Sequence, residues 1–265
     1  MATLRDKLWI WGQTPGTHHG ALDNMWKLPG VNRMTPAEGC YYLGIPNCCR
    51  VGMLGEPQPP WDQEAMPLES LDKVVWSILG DTHSGNDEYL DEVLRMAKLH
   101  PNVTGAVMDD FICSPERSAI YTPERVAGFR ERLHTEVDRP LDLWVVLYEY
   151  ELDKPVKPWL DEVDAVTFWT WYGEKLEELE ENYQRLRAIV GEEKSLIMGL
   201  YMWDYGNACE LTDERMQLQL DTYYRWLKEG KIDGVIVCSN CIADVGIPAV
   251  QTLRQWVREH GDEEI

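Results

Sequence analysis

Two adjacent carboxylates end a short apolar segment near the middle of the chain. In residues 104–111, Asp109 and Asp110 follow Gly-Ala-Val-Met, a run with the composition of a buried β-strand. Unpaired aspartates are rarely buried, so strand packing alone does not explain these acids. Two carboxyl groups in different environments can act as proton donor and as base or nucleophile, which is what glycoside cleavage requires. Asp109 and Asp110 are therefore the first catalytic candidates.

Further acids follow two other apolar segments, the fifth and the seventh. Asp204 is the second catalytic candidate and Glu149 the third. Because side chains alternate along a strand, Asp109 and Asp110 should point to different sides, and one of them should enter a site. Both of the other acids have structural alternatives. Asp204 could cap the turn before Gly206, and Glu149 could lie on a solvated loop.

The aromatic residues indicate what such a site could bind. Trp and Tyr number 12 each and Phe only 3, a bias towards rings with polar atoms that suits a half-wet, sugar-binding surface. The candidate substrate-binding residues follow the apolar segments, and they are Trp11, His18, His19, Arg50, Asp81, His83, Tyr148, Trp169, Trp171, Tyr201, Trp203 and Asn240. Core packing is the alternative for the tryptophans near the strand ends, a surface position for the two adjacent histidines, and pairing with a neighbouring acid for the arginine.

The elements that must position these residues alternate along the whole chain. The predicted strands are residues 7–12, 47–51, 73–79, 104–111, 141–148, 164–171, 194–203 and 233–238, separated by helix-like segments. Strands that are apolar throughout are typical of a parallel sheet covered on both faces. The pattern predicts a single-domain (β/α)8 TIM barrel over residues 1–265, with its active site at the carboxyl ends of the strands. An open doubly wound sheet is the runner-up, disfavoured because no Gly-rich phosphate motif follows the first strand.

The two ends of the predicted strands differ in chemistry. The strand starts carry Lys7, Lys73, Thr104, Leu141, Asp164, Lys194 and Asp233, an ordinary solvent-edge mixture without aromatic residues. The strand ends carry the carboxylates, tryptophans and tyrosines. Strands four and seven are not adjacent in a closed barrel, so carboxylates at their ends would face each other across its mouth. This asymmetry is the main functional signal in the sequence.

Several helix starts are marked by capping residues. Thr35-Pro36-Ala37-Glu38 matches a capping box, and Thr122-Pro123 and Thr212 have the residue types of helix N-caps. Apolar stripes predict helices over residues 87–99, 174–190, 213–228 and 247–258. Residues 55–72 contain four prolines and can form only a broken helix.

Composition limits the partners and the compartment. The chain has 25 Lys and Arg against 46 Asp and Glu, a net charge of -21, which disfavours nucleic acid and anionic membrane surfaces. No apolar run has the length of a membrane span. The apolar segment near the N-terminus is too short for a signal peptide, so we expect a cytoplasmic protein. The expected partner is a small carbohydrate, and the pattern leaves the oligomeric state open.

Seven cysteines, an odd number in a chain without a signal peptide, favour reduced thiols. Cys238 and Cys241 have the spacing of a zinc or redox pair. A structural zinc needs a second pair, and the adjacent Cys48 and Cys49 are poorly placed to chelate one. We therefore expect no metal and no cofactor.

Three segments carry a resemblance. Gly-Ala-Val-Met-Asp-Asp-Phe (105–111), Thr-Phe-Trp-Thr-Trp (167–171) and Gly-Leu-Tyr-Met-Trp-Asp-Tyr-Gly (199–206) resemble strand ends of glycoside-hydrolase-type (β/α)8 barrels, including uncharacterised bacterial proteins of that kind. The resemblance spans most of the chain as architecture and implies a hydrolase of carbohydrate metabolism. Many retaining glycosidases of this fold carry catalytic Glu on strands four and seven. Here both positions offer Asp, and the usual Asn-Glu pair is absent.

The sequence thus predicts a glycoside hydrolase that acts on a small glycoside or oligosaccharide. Two alternatives remain on the same fold. One is a metal-dependent sugar isomerase or epimerase, in which Glu149, Asp204, Asp81 and His83 would surround one divalent ion. The other is a non-catalytic sugar-binding barrel, which would keep the rings and tolerate loss of either acid.

Overall fold

Eight parallel strands close into a barrel in the computed structural model, which describes residues 2–80, 87–112 and 114–265. The strands are β1 (Leu8–Gly12), β2 (Asn47–Arg50), β3 (Lys73–Leu79), β4 (Val103–Met108), β5 (Asp142–Tyr148), β6 (Ala165–Trp169), β7 (Ser195–Tyr201) and β8 (Gly234–Cys238). Each strand pairs with its neighbour in the chain, and β8 pairs with β1 to close the barrel. The predicted (β/α)8 fold is confirmed.

The longer helices cover the outside of this barrel, whereas the short helix Thr17–Gly20 lies at the cavity. The α-helices are Thr17–Gly20, Pro36–Leu43, Asp62–Ala65, Asp87–Leu99, Pro115–Ile120, Pro123–Thr135, Lys157–Leu160, Leu179–Val190, Asp213–Lys228, Asn240–Ala243 and Pro248–His260. Short 3₁₀ turns occupy Arg5–Lys7, Met66–Leu68, Glu149–Glu151 and Gly173–Glu178. In the described part of the chain, no helix is both long and apolar enough to cross a membrane.

The strands are buried along nearly their whole length, because their inner side chains fill the barrel and their outer side chains pack against helices. Trp9 of β1 and Trp144 of β5 belong to opposite strands, yet their ring centroids lie 4.7 Å apart. Their edge-to-face contact therefore crosses the barrel interior. The interior is a packed core, and a cavity can open only at the loops above it.

The helix starts predicted from Thr35, Thr122 and Thr212 agree with the structure, whereas the helix predicted over residues 174–190 begins as a 3₁₀ turn and is α-helical only from Leu179. The Thr35 side chain accepts a hydrogen bond from the Glu38 amide, and the Glu38 carboxylate accepts one from the Thr35 amide, which completes the capping box. The side chains of Thr122 and Thr212 cap their helices by accepting from the amides of Arg125 and Arg215. The proline-rich region forms only two short helical pieces, Asp62–Ala65 and Met66–Leu68.

Three strands end two or more residues earlier than predicted, and β2 ends one residue earlier. β4 ends at Met108 and β6 at Trp169, so the last residues of both predicted strands form loops. β7 ends at Tyr201, after which Trp203–Asp204 pairs with Cys209–Glu210 as a small antiparallel hairpin. Apolar residues continue beyond the last paired residue of these strands because the loops that follow the strands are also buried. Burial alone therefore overestimates strand length.

Candidate active site

A cavity of about 380 Å³ opens at the carboxyl ends of the strands. Its walls come from the ends of β1, β2 and β4 to β8 or from the loops that follow them. The lining residues are Trp11, Gln13, His18, Ala21, Leu22, Met25, Trp26, Met53, Leu54, Asp109, Asp110, Val146, Tyr148, Trp169, Trp171, Tyr201, Tyr205 and Cys238. The cavity lies at the end of the barrel where the sequence concentrates its aromatic and acidic residues.

Both acids at the end of β4 line this cavity, so the expectation that they point to different sides is wrong. The alternation of side chains holds only in an extended backbone. The Asp109 amide still donates to the Leu79 carbonyl at 2.9 Å, but Asp110 has a φ of 48° and leaves the extended conformation. This turn brings the second carboxylate to the same side as the first.

An arginine holds that turn in place. Ser114 caps the short helix Pro115–Ile120 by accepting a hydrogen bond from the Arg117 amide. The Arg117 guanidinium then reaches back, donating to the Asp110 carbonyl at 2.8 Å and to the Gly80 carbonyl. Arg117 thus ties the loop after β4 to the end of β3, and it positions the carboxylates through the backbone.

Tyr148, at the end of β5, joins the carboxylates to the aromatic walls. Its hydroxyl donates to Asp110 Oδ1 at 2.9 Å, and its ring stacks on Tyr150 with centroids 5.1 Å apart. Burial, reinforced by the charge of Asp110, raises the pKa of Tyr148 well above its ordinary value. The phenol therefore stays protonated and donates, and a hydrogen bond to a carboxylate favours its ionised form.

The floor of the cavity is aromatic. Trp11 and Trp169 meet edge to face at 5.2 Å between centroids, and Tyr201 lies 5.0 Å from the Trp169 ring. Gly199 in β7 makes this arrangement possible, because a β-carbon there would overlap the Trp169 indole. Trp169 donates from Nε1 to Thr167 Oγ1 at 3.0 Å, which fixes the orientation of the indole.

A neutral hydrogen-bonded chain forms another wall. His18 Nε2 contacts Gln13 Oε1, and His18 Nδ1 lies 2.8 Å from the Tyr205 hydroxyl. Because the Gln13 oxygen can only accept, the histidine proton is on Nε2 and the tyrosine donates to Nδ1. Burial, with His19 adding a smaller repulsion, lowers the pKa of His18 to about 3. This wall therefore carries no charge at neutral pH.

The other two catalytic candidates do not line the cavity. Asp204 is 3% exposed and ends the first strand of the hairpin, where it accepts from the Asn207 amide at 3.1 Å and from the Asn207 side chain at 3.0 Å. Glu149 accepts from the Trp171 amide at 3.0 Å, and burial raises the pKa of its carboxyl group. Both carboxylates hold loops at the rim.

Four predicted binding residues are not among the lining residues and have structural partners instead. Arg50 pairs with Glu64 at 2.8 Å, and Asn240 ties the Gln13 and Met34 backbone together. His19 contacts the Pro29 carbonyl at 2.9 Å, and the Trp203 indole donates to the Trp26 carbonyl at 3.0 Å. The predicted residues that do line the cavity are Trp11, His18, Asp109, Asp110, Tyr148, Trp169, Trp171 and Tyr201.

Asp81 and His83 lie outside the described residues. Within residues 2–80, 87–112 and 114–265, no group of three or more His, Cys, Asp and Glu is arranged to hold a metal ion.

Sequence reasoning did not assign several lining residues. Gln13 lies two residues after Trp11 and Tyr205 directly follows Asp204, so proximity in sequence to these candidates could have indicated both. Trp26 and Met53 lie in long loops without a periodic pattern. Only the folded chain shows that Trp26 meets Tyr205 edge to face, with centroids 5.2 Å apart.

Comparison with known proteins shows a similarity of fold only. No protein-family model matches the chain, and no curated protein matches it.

Several solved structures of glycoside hydrolases share its barrel. The spore cortex-lytic enzyme SleL of Bacillus cereus is 13% identical, with a TM-score of 0.56 over 100% of this chain and 77% of that one. An endo-β-N-acetylglucosaminidase from Cordyceps militaris is 12% identical, with a TM-score of 0.57 over 96% and 89%. A chitinase from Rhizomucor miehei is 12% identical, with a TM-score of 0.55 over 94% and 99%. The chain therefore has a (β/α)8 barrel fold that it shares with these glycoside hydrolases.

Proposed function

We propose that this protein is a glycoside hydrolase that cleaves a small glycoside or oligosaccharide in the cavity at the carboxyl ends of its strands. The observation that carries the proposal is the placement of Asp109 and Asp110, two neighbouring carboxyl groups on one side of an aromatic cavity. Rings that contact the faces of a sugar and carboxyl groups that handle protons are the two components that glycoside cleavage needs.

The hydrogen bonds assign different roles to the two acids. Asp110 accepts from the Tyr148 hydroxyl, which favours its ionised form, so Asp110 is the base, nucleophile or charge-stabilising group. Asp109 is buried beside it, and two neighbouring carboxyl groups do not readily carry two charges. Asp109 is therefore the proton donor to the leaving oxygen. The neutral chain of Gln13, His18 and Tyr205 binds sugar hydroxyls.

The test is hydrolysis of a panel of 4-nitrophenyl glycosides by the full chain. The panel begins with the β-N-acetylglucosaminide, because one of the structures that share this fold is an endo-β-N-acetylglucosaminidase. On the best substrate, Asp109→Asn and Asp110→Asn should each lower kcat/KM by about 10²–10⁴, the usual contribution of a catalytic acid or base. Their melting temperatures should stay close to that of the unchanged chain.

Asp204→Asn is the matched control, because this carboxylate also follows a barrel strand but binds Asn207 instead of lining the cavity. Its kcat/KM should stay within a few-fold of the unchanged chain. Full activity in either Asp109→Asn or Asp110→Asn, or loss of fold in both, contradicts the proposal.

One observation favours a non-catalytic sugar-binding barrel as the second candidate. All lining residues other than Asp109 and Asp110 are apolar, aromatic or neutral polar groups, and this composition suits binding without turnover. A chain of this kind would bind a sugar in calorimetry, hydrolyse no member of the panel, and keep its affinity in Asp110→Asn. The glycosidase proposal requires turnover by the unchanged chain.

A further inference from the structure

An apolar ledge forms one side of the cavity mouth. It consists of Ala21, Leu22 and Met25 from the loop after β1, and of Met53 and Leu54 from the loop after β2. The Leu22 side chain is 80% exposed, Met25 48% and Leu54 44%. Deeper in the cavity the walls are indoles, phenols and carboxyl groups. The ledge has no polar side-chain group, so it is chemically distinct from the sugar-binding floor.

The two exposed leucines of the ledge occupy backbone positions that disfavour leucine. Leu22 has a φ of 40° and Leu54 a φ of 52°, in the left-handed region that Asn, Asp and Gly adopt more easily. Leu54-Gly55 forms a two-residue turn closed by Met53 and Glu56, whose backbones exchange hydrogen bonds at 2.9 and 3.0 Å. Asn-Gly is the preferred pair in such a turn. Both leucines are therefore exposed at backbone positions where Asn or Gly is more usual.

Hydrogen bonds hold the backbone of the ledge, although its leucines extend into solvent. Asn24 accepts from the Leu28 amide and donates to the Leu28 carbonyl, both at 2.9 Å. The Met25 amide donates to the Ala21 carbonyl at 3.1 Å. A preformed, strained, exposed apolar surface beside a site indicates binding of an apolar group. The loop after β1 and the loop after β2 each contribute an exposed leucine with a positive φ.

We propose that the ledge binds an apolar aglycone, an aryl or alkyl group joined to the sugar whose bond is cleaved. The inference deepens the proposed function, because it takes the sugar to lie on the aromatic floor. The ledge belongs to the same cavity as Asp109 and Asp110 but comes from different strands, so one ligand can contact both. Leucine and methionine offer hydrocarbon contact without hydrogen bonds, which suits an aglycone and not a second sugar ring.

The experiment compares ligands that share one sugar and differ in the aglycone. Methyl, phenyl and n-hexyl β-glucosides and β-N-acetylglucosaminides are titrated by calorimetry into the Asp110→Asn chain, so that turnover does not consume them. The phenyl or hexyl glycoside should bind about tenfold or more tightly than the methyl glycoside, because each CH₂ or ring edge removed from water adds affinity. The phenyl and hexyl arms distinguish an aryl from an alkyl aglycone.

The decisive variants are Leu22→Asn and Leu54→Asn, singly and together. Asparagine adopts a positive φ more easily than leucine, so the double variant should melt at the same temperature or higher. The affinity ratio between hexyl or phenyl and methyl glycoside should fall to within about threefold, and the affinity for the methyl glycoside should not change. Leu99→Asn, at an exposed leucine outside the cavity, is the matched control and should leave the ratio unchanged.

Three results overturn the ledge proposal. The first is equal affinity for the hexyl or phenyl glycoside and the methyl glycoside when Leu22 and Leu54 are both present. The second is a double variant that keeps the same preference for the hexyl or phenyl glycoside. The third is a markedly lower melting temperature, or a change in oligomeric mass, in the double variant with the preference retained. The proposed function fails separately: a chain that prefers the hexyl or phenyl glycoside and hydrolyses none has the ledge without the activity.

Discussion

The ends of β4 and β7 carry the same sequence pattern and use it in opposite ways. Both strands are apolar and lead to aspartate, Asp109 and Asp110 after β4 and Asp204 after β7. The end of β4 presents its acids to the cavity. The end of β7 presents neutral Tyr201 and Tyr205 there, and its acid binds within a hairpin turn. A position after a barrel strand thus brings a carboxylate near the mouth, and its hydrogen-bond donors decide which way it points.

Local backbone geometry explains this difference. After β4, Asp110 has a positive φ and its carbonyl accepts a hydrogen bond from Arg117, and together these turn its side chain towards the cavity. After β7, the hairpin places Asn207 three residues beyond Asp204, close enough for its amide and side chain to donate. Gly173 leaves room for that carboxylate, because a β-carbon there would overlap Asp204 Oδ2.

The largest effect on stability should come from the acid at the β7 end. Asp204→Ala leaves the Asn207 donors without their acceptor, so the free energy of unfolding should fall by about 2–3 kcal/mol, measured by chemical denaturation. Asp110→Ala should cost less, because its carboxylate faces a cavity. If Asp110→Ala destabilises the chain as much as Asp204→Ala, the distinction between the two strand ends fails.

The next effect tests the hydrogen bond at the β4 end. Tyr148→Phe removes the donor to Asp110 and should lower kcat/KM by about 10- to 100-fold, the range of one hydrogen bond to a charged group. The melting temperature should change little, because the ring still stacks on Tyr150. In an Asp110→Asn background the same substitution should have little further effect. Equal losses in both backgrounds would show that Tyr148 acts independently of Asp110.

The neutral wall beside the β7 end should give a pH dependence of stability. The folded pKa of His18 is about 3, so between that value and about 6.5 the unfolded chain binds more protons than the folded one. Stability should therefore fall with acidification, by about 1.6 kcal/mol from His18 alone between pH 6.5 and pH 5. His18→Asn should remove this part of the pH dependence of the free energy of unfolding, measured by chemical denaturation at each pH, and His19→Asn should retain it. An unchanged slope in His18→Asn would contradict the buried, neutral histidine.

The smallest effect concerns Glu149, which binds backbone in the manner of Asp204. Burial raises the pKa of its carboxyl, so its contribution to stability is complete below the ordinary glutamate value and decreases as pH rises through the raised one. Glutamine keeps an oxygen for the Trp171 amide without the charge. Glu149→Gln should therefore be as stable as the unchanged chain or slightly more so at pH 8, and its advantage should shrink towards pH 5. A variant clearly less stable at pH 8 would refute this.

Much of the candidate site was predictable, and the failures have a common cause. The alternation of apolar segments indicated the barrel, and the asymmetry of their ends indicated which rim carries the cavity. Asp109, Tyr148 and Trp169 follow from that rule alone. Asp204 and Arg50 satisfy the same rule, yet each has a partner, Asn207 or Glu64, that only the folded loops supply. Strand-end position is a property of the sequence, and side-chain pairing within long loops is not.

The sequence by itself determined the barrel, the end at which the cavity opens, and the aromatic and acidic character of that end. It could do so because strand and helix periodicity are local and parallel strands all present the same end. Tertiary structure alone decided which acids face the cavity, that His18 is neutral, and that Leu22 and Leu54 form a ledge. These properties depend on loops that are distant in sequence and meet only when the barrel closes.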